Sequence, residues 1–440
     1  MTTESSDSQH RVLVVGGGAG GLELATRLAR GPGRRGRLGV TLVDANLTHV
    51  WKPLFHEVAA GTLDSQADAL PYLAQASRYG FRFHYGRMCG LDRGRKRIRL
   101  ASVAGDDGAE LVPERELAYD TLVLAVGSVS NNFGTPGAAE HCMYLDSIRE
   151  AQRFQQSMVR AFLRAQAQQG PLSDSQLSVA IVGGGATGVE LAAELRNAAR
   201  RAVSYGLDRI DPERDLKLTL IEAADRVLPA LSERLSEKTE RELTNLGVRV
   251  VTAKKVVEVT REGVALDGGE FVPAEFRVWS AGIKAPDWLA ELDGLETNRA
   301  NQLVVNASLQ TSRDGNVFAL GDCAACPRES GLLVPPRAQA ASQQAGFLAE
   351  ALDRRARGVG LGEFAYEDYG SLISLSDDNA VGRLMGNLFG SLMIEGFMAR
   401  MAYAMLYKKH LMALHGFSRV VTTTLLQALT RHTRPRLKLH

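Results

Sequence analysis

VLVVGGGAGGLELATRL, residues Val12 to Leu28, and VAIVGGGATGVELAAEL, residues Val179 to Leu195, repeat one pattern 167 positions apart. Each copy opens with a β-branched apolar run, turns on a cluster of glycines and continues with apolar residues at helical spacing. That is the strand–turn–helix opening of a dinucleotide-binding unit, where missing side chains let the backbone approach a pyrophosphate at a helix N-terminus. Gly16, Gly18 and Gly21 fill G-x-G-x-x-G in the first copy; Gly183, Gly185 and Gly188 fill it in the second. Both copies then reach a second apolar strand ending in an acid, VTLVDA at Asp44 and LTLIEA at Glu222. Asp44 stands 23 residues past Gly21, near the usual interval, whereas Glu222 stands 34 past Gly188, the extra length reading as an extended helix and loop. A carboxylate at that place accepts from a ribose hydroxyl and repels a 2′-phosphate, so Glu222 points to NAD over NADP. Two units imply two dinucleotides.

A chain of 440 residues exceeds one ordinary core and is expected to divide into two or three domains. TLVLAVGS, containing Gly127, and RVWSAG, ending in Gly282, read as buried strands with glycine turns, and a later strand, NVFALGDCA, ends in Gly321 and Asp322. This order predicts an α/β fold with two Rossmann-type dinucleotide-binding domains, the first interrupted by the second. The expected bounds are 10–172 with 303–365 for the first domain, 173–302 for the second and 366–440 for a C-terminal amphipathic region. Within that region FAYEDYGSLISLS reads as strands. Leu392, Met393, Phe397, Met401, Met405 and Met412 then recur at mostly helical spacing, with Arg400 and Lys408 elsewhere around the helix.

The formal charge is only +2, yet Gly396 to His440 carries eight Lys/Arg and no acid, leaving −6 before it. A basic tail mixed with apolar residues fits a lipid surface better than nucleic acid. No stretch has the roughly 18 consecutive apolar residues of a spanning helix, and no secretory leader opens the chain. Four cysteines in so long a chain point to a reducing compartment. The one C-x-x-C, Cys323 and Cys326, is too few ligands for a tetrahedral zinc site, so no metal is expected.

The paired fingerprints, with AVGS at Ala125–Ser128, WSAGI at Trp279–Ile283 and ALGDCA at Ala319–Ala324, resemble the two-dinucleotide flavoprotein reductases. Within them, NLTHVWKPLFHEVAAGTL after Asp44, PPRAQAASQQA, and YGSLISLS with its tail resemble the type II NADH:quinone oxidoreductases, over nearly the whole chain from about Arg11. ANLTHVWKPL and GDCAACP are closest to the bacterial, non-proton-pumping members. The resemblance implies FAD in the first unit, its ribityl and phosphate part held by Gly321–Asp322, and NADH in the second. Electrons would pass from NADH through FAD to membrane quinone. Disulfide reductases of this fold carry a redox cysteine pair where this chain has His49, Trp51, Lys52, Pro53 and His56, which excludes that chemistry, and Cys89 and Cys142 match no sulfide:quinone pattern.

The resemblance also places Lys52 near the flavin N5 edge with Glu190 as its ion-pair partner, Glu190 lying nearer the nicotinamide among the NADH-binding residues, and Lys52 and Gln339 among those that hold FAD. Ala338, Gln339, Ala341 and Gln343 match its A-Q-x-A-x-Q, and the two glutamines, spaced i, i+4, share a helix face. It implies that this helix starts beside the flavin, with the two amides toward quinone carbonyls. His49 and His56 read as satisfied structural histidines. The competing readings are a soluble flavoprotein reductase of a small electron-carrier protein and a membrane-docked NADH redox sensor. The expected location is peripheral, on the cytoplasmic face of the plasma membrane, with a homodimer interface as the alternative use of the Met-rich tail.

Overall fold

The computed structural model describes residues 9–66, 69–105, 107–375, 380–386 and 390–430. From the start the chain forms β1 (His10–Val15), α1 (Ala19–Leu28), β2 (Leu38–Asp44), α2 (Phe55–Ala60), α3 (Tyr72–Tyr79), β3 (Arg82–Tyr85), β4 (Thr121–Leu124) and α4 (Ile148–Ala167). The second repeat supplies β5 (Ser178–Val182), α5 (Ala186–Ser204), β6 (Lys217–Ile221), β7 (Val248–Val251) and β8 (Phe276–Trp279). The remainder adds β9 (Gln310–Thr311), β10 (Asp314–Ala319), α6 (Ala338–Ala356), β11 (Gly370–Ser374), β12 (Ala380–Gly386), β13 (Gly390–Glu395), α7 (Gly396–His415) and α8 (Phe417–Thr430).

Two parallel sheets follow from the two repeats. The first has strand order β9-β10-β4-β1-β2-β3, only β9 running antiparallel, and the second β7-β6-β5-β8. In each, the strand before the glycine turn pairs in parallel with the acid-ending strand on one side: Val15 faces Val43, and Val182 faces Ile221. The central strands carry apolar residues on both faces because helices cover both, and Val12 to Val15 and Val179 to Val182 are buried throughout. β9 and β10 join the sheet of β1, so the first unit is assembled from segments on either side of the second.

The crossings between units differ from the expected 172 and 303. Leu145 and the inner face of α4, Ala151, Phe154, Met158 and Ala161, belong to the second core, together with Phe55 and Val58 of α2. Ala285, Leu289, Leu292 and Leu295 already pack into the first. The chain therefore leaves earlier and returns earlier, at places set by apolar side chains and not by composition.

The C-terminal region also departs from expectation. β11, β12 and β13 form an antiparallel sheet, Arg383 facing Met393 and Leu384 facing Leu392, so Leu392 and Met393 sit on a strand and the helix starts only at Gly396. In sequence, Phe397 to Tyr407 are apolar apart from Arg400. No helix among the described residues is long and apolar enough to cross a membrane. The expected basic end, Arg431, Arg434, Arg436 and Lys438, lies outside the described residues.

Candidate functional site

The two glycine turns have nearly superposable support. Gly16 has φ +101° and Gly183 φ +110°, a region where a Cβ strains, and a side chain on either would strike the strand alongside, at Ala125 or Ala281. A side chain on Gly21 would strike the Gly16 carbonyl and one on Gly188 the Gly183 carbonyl, so the third glycine of each motif seats the helix on the turn. Gly18 and Gly185 instead cap α1 and α5 with open space before them, a cradle that a Cβ would begin to fill. The acids close each turn from the far side. Asp44 accepts from the Gly17 N–H at 2.6 Å and from the Asn46 N–H, and Glu222 accepts from the Gly184 N–H at 2.6 Å and from the Ala224 N–H. Burial raises the Asp44 carboxyl above its ordinary value, while the Gly17 and Asn46 donors oppose that shift. Both cradles offer helix N-terminal amides and a carboxylate, and so fit the phosphates and ribose of a dinucleotide.

The loops after the central strands complete the first cradle. Gly127 and Gly321 have positive φ, as does Gly282 in the second unit. Ser128 donates its hydroxyl to Asp322 at 2.7 Å, and the Gly321 N–H donates to Gln344 Oε1 at 2.7 Å. Gln344 is fully buried at the foot of α6 and was missed by sequence reasoning. The i, i+4 criterion selected Gln343, and only burial distinguishes the neighbours. Gln339 and Gln343 do share a face, but their amides are occupied by the strap before β11. Gln339 donates to the Tyr366 hydroxyl at 2.7 Å and to Asp368, and Gln343 donates to the Glu367 carbonyl while accepting its N–H.

Lys52 and Glu190 are not partners, which corrects the expected ion pair. Lys52 donates to the Ser128 carbonyl at 2.7 Å and lies 3.6 Å from Asp146, whose carboxylate also accepts the Ser130 N–H. Glu190 is buried under β11: Oε1 accepts the Ser374 N–H at 3.0 Å and Oε2 faces His56 Nδ1 at 3.5 Å. Burial pushes the Glu190 carboxyl up to about 8 and the His56 imidazole down to about 4, so at neutral pH the acid keeps its proton beside a neutral histidine. The half-exposed lysine stays near water with Asp146, because a buried ionised pair would cost more desolvation than one neutral acid.

His49 is satisfied at both nitrogens, by the Gly17 carbonyl and by His410 of α7. Cys323 and Cys326 are free, buried thiols whose burial raises each to about 11. They pack in the first core beneath the Gly321 turn.

Residues 10–345 match the family model described as pyridine nucleotide-disulphide oxidoreductase. The class is therefore a two-dinucleotide oxidoreductase. The type II NADH:quinone oxidoreductase of Haemophilus influenzae is 44% identical over 98% of this chain and 99% of its own, and that of Mycobacterium tuberculosis 28% identical over 96% and 88%. A structure of NDH2 from Plasmodium falciparum in complex with NADH superposes with TM-score 0.77 at 18% identity, covering 91% of this chain and 94% of that one. This chain belongs to the type II NADH:quinone oxidoreductases, within the pyridine nucleotide-disulphide oxidoreductase family.

Proposed function

We propose that this protein transfers electrons from NADH, through FAD held in the first unit, to a membrane quinone, without pumping protons. The observation that carries this reading is the pair of glycine cradles within a chain that matches the Haemophilus influenzae enzyme from end to end. When bound, FAD supplies the two-electron redox chemistry, accepting hydride from NADH and passing the electrons on.

The chain's own residues bind, orient and shield. Gly16, Gly18, Gly21 and Asp44 would hold the FAD pyrophosphate and ribose, and Gly127, Gly321 and Asp322 the middle of that molecule. Gly183, Gly185, Gly188, Glu222 and Gly282 would hold NADH. Lys52, held by the Ser128 carbonyl and Asp146, stands at the edge of the first cradle. Glu190 holds a proton at neutral pH in a site that excludes water, as an acid for the acceptor half-reaction requires. Gln339, Gln343 and Gln344 place α6 and the strap; Gln339 and Gln343 serve the quinone side by keeping β11 over Glu190.

Membrane association is read from the tail. Phe417, Val421 and Leu425 are exposed on one face of α8, with Met405 and Leu406 exposed on α7. Such an apolar face lies in the head-group region of a bilayer, here on its cytoplasmic side, or against a second copy of the chain. The deciding experiment is anaerobic. NADH should bleach the yellow protein, and short-chain quinone should restore its colour within the turnover time. Bleaching without reoxidation by quinone would leave an NADH sensor and sink the oxidoreductase reading.

A further inference from the structure

The two glycine turns differ in what holds the carbonyl of their second glycine. In the second unit the Gly184 carbonyl accepts the backbone N–H of Leu228 at 2.8 Å, a support that depends on no side chain. In the first, among the described residues, the Gly17 carbonyl accepts from side chains alone: Tyr72 Oη–H at 2.8 Å and His49 Nδ1 at 2.9 Å. His49 Nε2 in turn lies 3.0 Å from His410 Nε2, on the last turns of α7. A carbonyl only accepts, so His49 carries its proton on Nδ1. A neutral imidazole has one N–H, so His49 Nε2 accepts and His410 Nε2–H donates. Burial holds both rings neutral, His49 at about 4 and His410 at about 3.

The consequence for the cofactor follows from peptide planarity. In a trans peptide the C=O and the next N–H point in opposite directions. Fixing the Gly17 carbonyl toward His49 and Tyr72 therefore aims the Gly18 N–H the other way. That N–H has no partner among the described residues. It is a phosphate donor oriented before the ligand arrives.

Helix α7 is well placed to enforce this. Its Leu414 is buried in the first core, and the Leu414 carbonyl accepts from Gln75 at 3.0 Å. Trp51 stacks on Tyr407, with centroids 5.3 Å apart, and on His410, at 5.7 Å.

We propose that α7 is a clasp on the first dinucleotide: His410, acting through His49, fixes the Gly17 carbonyl and so aims the Gly18 N–H at the phosphates. His410 is a positioning residue, and it makes retention of the first cofactor depend on the seating of the tail helix while the second unit has no such dependence. The proposal rests on the assignment of FAD to the first unit.

The test uses the full-length holoprotein. His410→Ala is expected to raise the FAD dissociation constant, read from flavin fluorescence released on dilution, about tenfold, as for the loss of one buried hydrogen bond. The KM for NADH with short-chain quinone and excess FAD should stay within about twofold. His410→Gln, whose amide N–H reaches the same point, should retain FAD. Gln75→Leu, which loosens the seating of the same helix but leaves the His49–His410 contact in place, should weaken FAD less than His410→Ala does. Unchanged FAD affinity in His410→Ala, or equal loss in Gln75→Leu, would overturn the clasp. Weakened NADH in place of weakened FAD would support the clasp and overturn the assignment of FAD to this unit. If His410→Ala does not accumulate folded, His410→Gln and His410→Asn carry the test. The asparagine amide falls a methylene short and should release FAD, and equal retention by both overturns the proposal.

Discussion

Replacing Glu190 with Gln keeps the shape and the acceptor for the Ser374 N–H while removing the carboxyl titration. The folded carboxyl titrates near 8, against an ordinary value of 4.5. Between these values the folded protein binds a proton that the unfolded chain has released, so stability falls as pH rises, by about 1.4 kcal/mol per unit. Accumulated to pH 8, the penalty is on the order of 5 kcal/mol, and Glu190→Gln escapes it. His56, held near 4, works the other way, with stability lost as pH falls below 6.5, but it is present in both proteins and cancels in the comparison. For 440 residues unfolding together, one kcal/mol moves the midpoint by roughly 1 °C. Thermal unfolding of the two holoproteins should then coincide near pH 5 and separate by roughly 5 °C by pH 8, the variant above. In the same variant, quinone reduction should fall while flavin reduction by NADH changes less. Parallel unfolding curves from pH 5 to 9 would mean that Glu190 is ionised in the folded protein, and the reasoning about burial would fail.

Glu222→Ala should weaken NADH use and narrow the gap to NADPH by about tenfold, measured as kcat/KM for both nucleotides; equal use by the unmodified protein would dismiss the assignment. Gln339→Met removes the donor that holds Tyr366 and Asp368, and should slow flavin reoxidation by quinone more than flavin reduction by NADH in stopped flow. Loss of FAD, or equal slowing of both, would instead mark α6 as support for the flavin alone. Phe417→Asp with Leu425→Asp alters exposed positions only, so the protein should stay yellow and turn over short-chain quinone while losing its sedimentation with anionic liposomes. Undiminished sedimentation would place the lipid contact elsewhere.

The glycine turns were legible because their geometry is local: backbone conformation and close approach dictate the residue type within a dozen positions. Acids ending the second strands were legible for the same reason, and the structure adds that each carboxylate closes its own turn. The Lys52–Glu190 pairing failed because charge is written in the sequence and relative burial is not. Gln344 was passed over because periodicity alone does not rank two adjacent glutamines. Leu392 and Met393 were read at helical spacing because a short apolar run bounded by glycines satisfies both periods; pairing with β12 decides for strand. The His49–His410 contact spans 361 positions and leaves no local signal in either segment.

The packing of the C-terminal region argues against a separable membrane anchor. β11 supplies the N–H that Glu190 accepts, and Ile373 and Leu375 fill the second core. Leu414 fills the first core, His410 meets the His49 ring, and Lys409 lies 4.9 Å from the centre of the Tyr369 ring. Removing everything from Leu388 onward would therefore take a core leucine and the support of the first glycine turn along with any lipid contact. Leaving Trp51 without its stacking partners would add an exposed aromatic to that loss. Among the described residues, the exposed face of α8 and the neighbouring Met405 and Leu406 can be altered without touching either dinucleotide cradle. One C-terminal segment thus has two sides with different work. Its inner side packs against the loop that supports the first glycine turn, and its outer side carries the exposed apolar residues to which we assign the lipid contact.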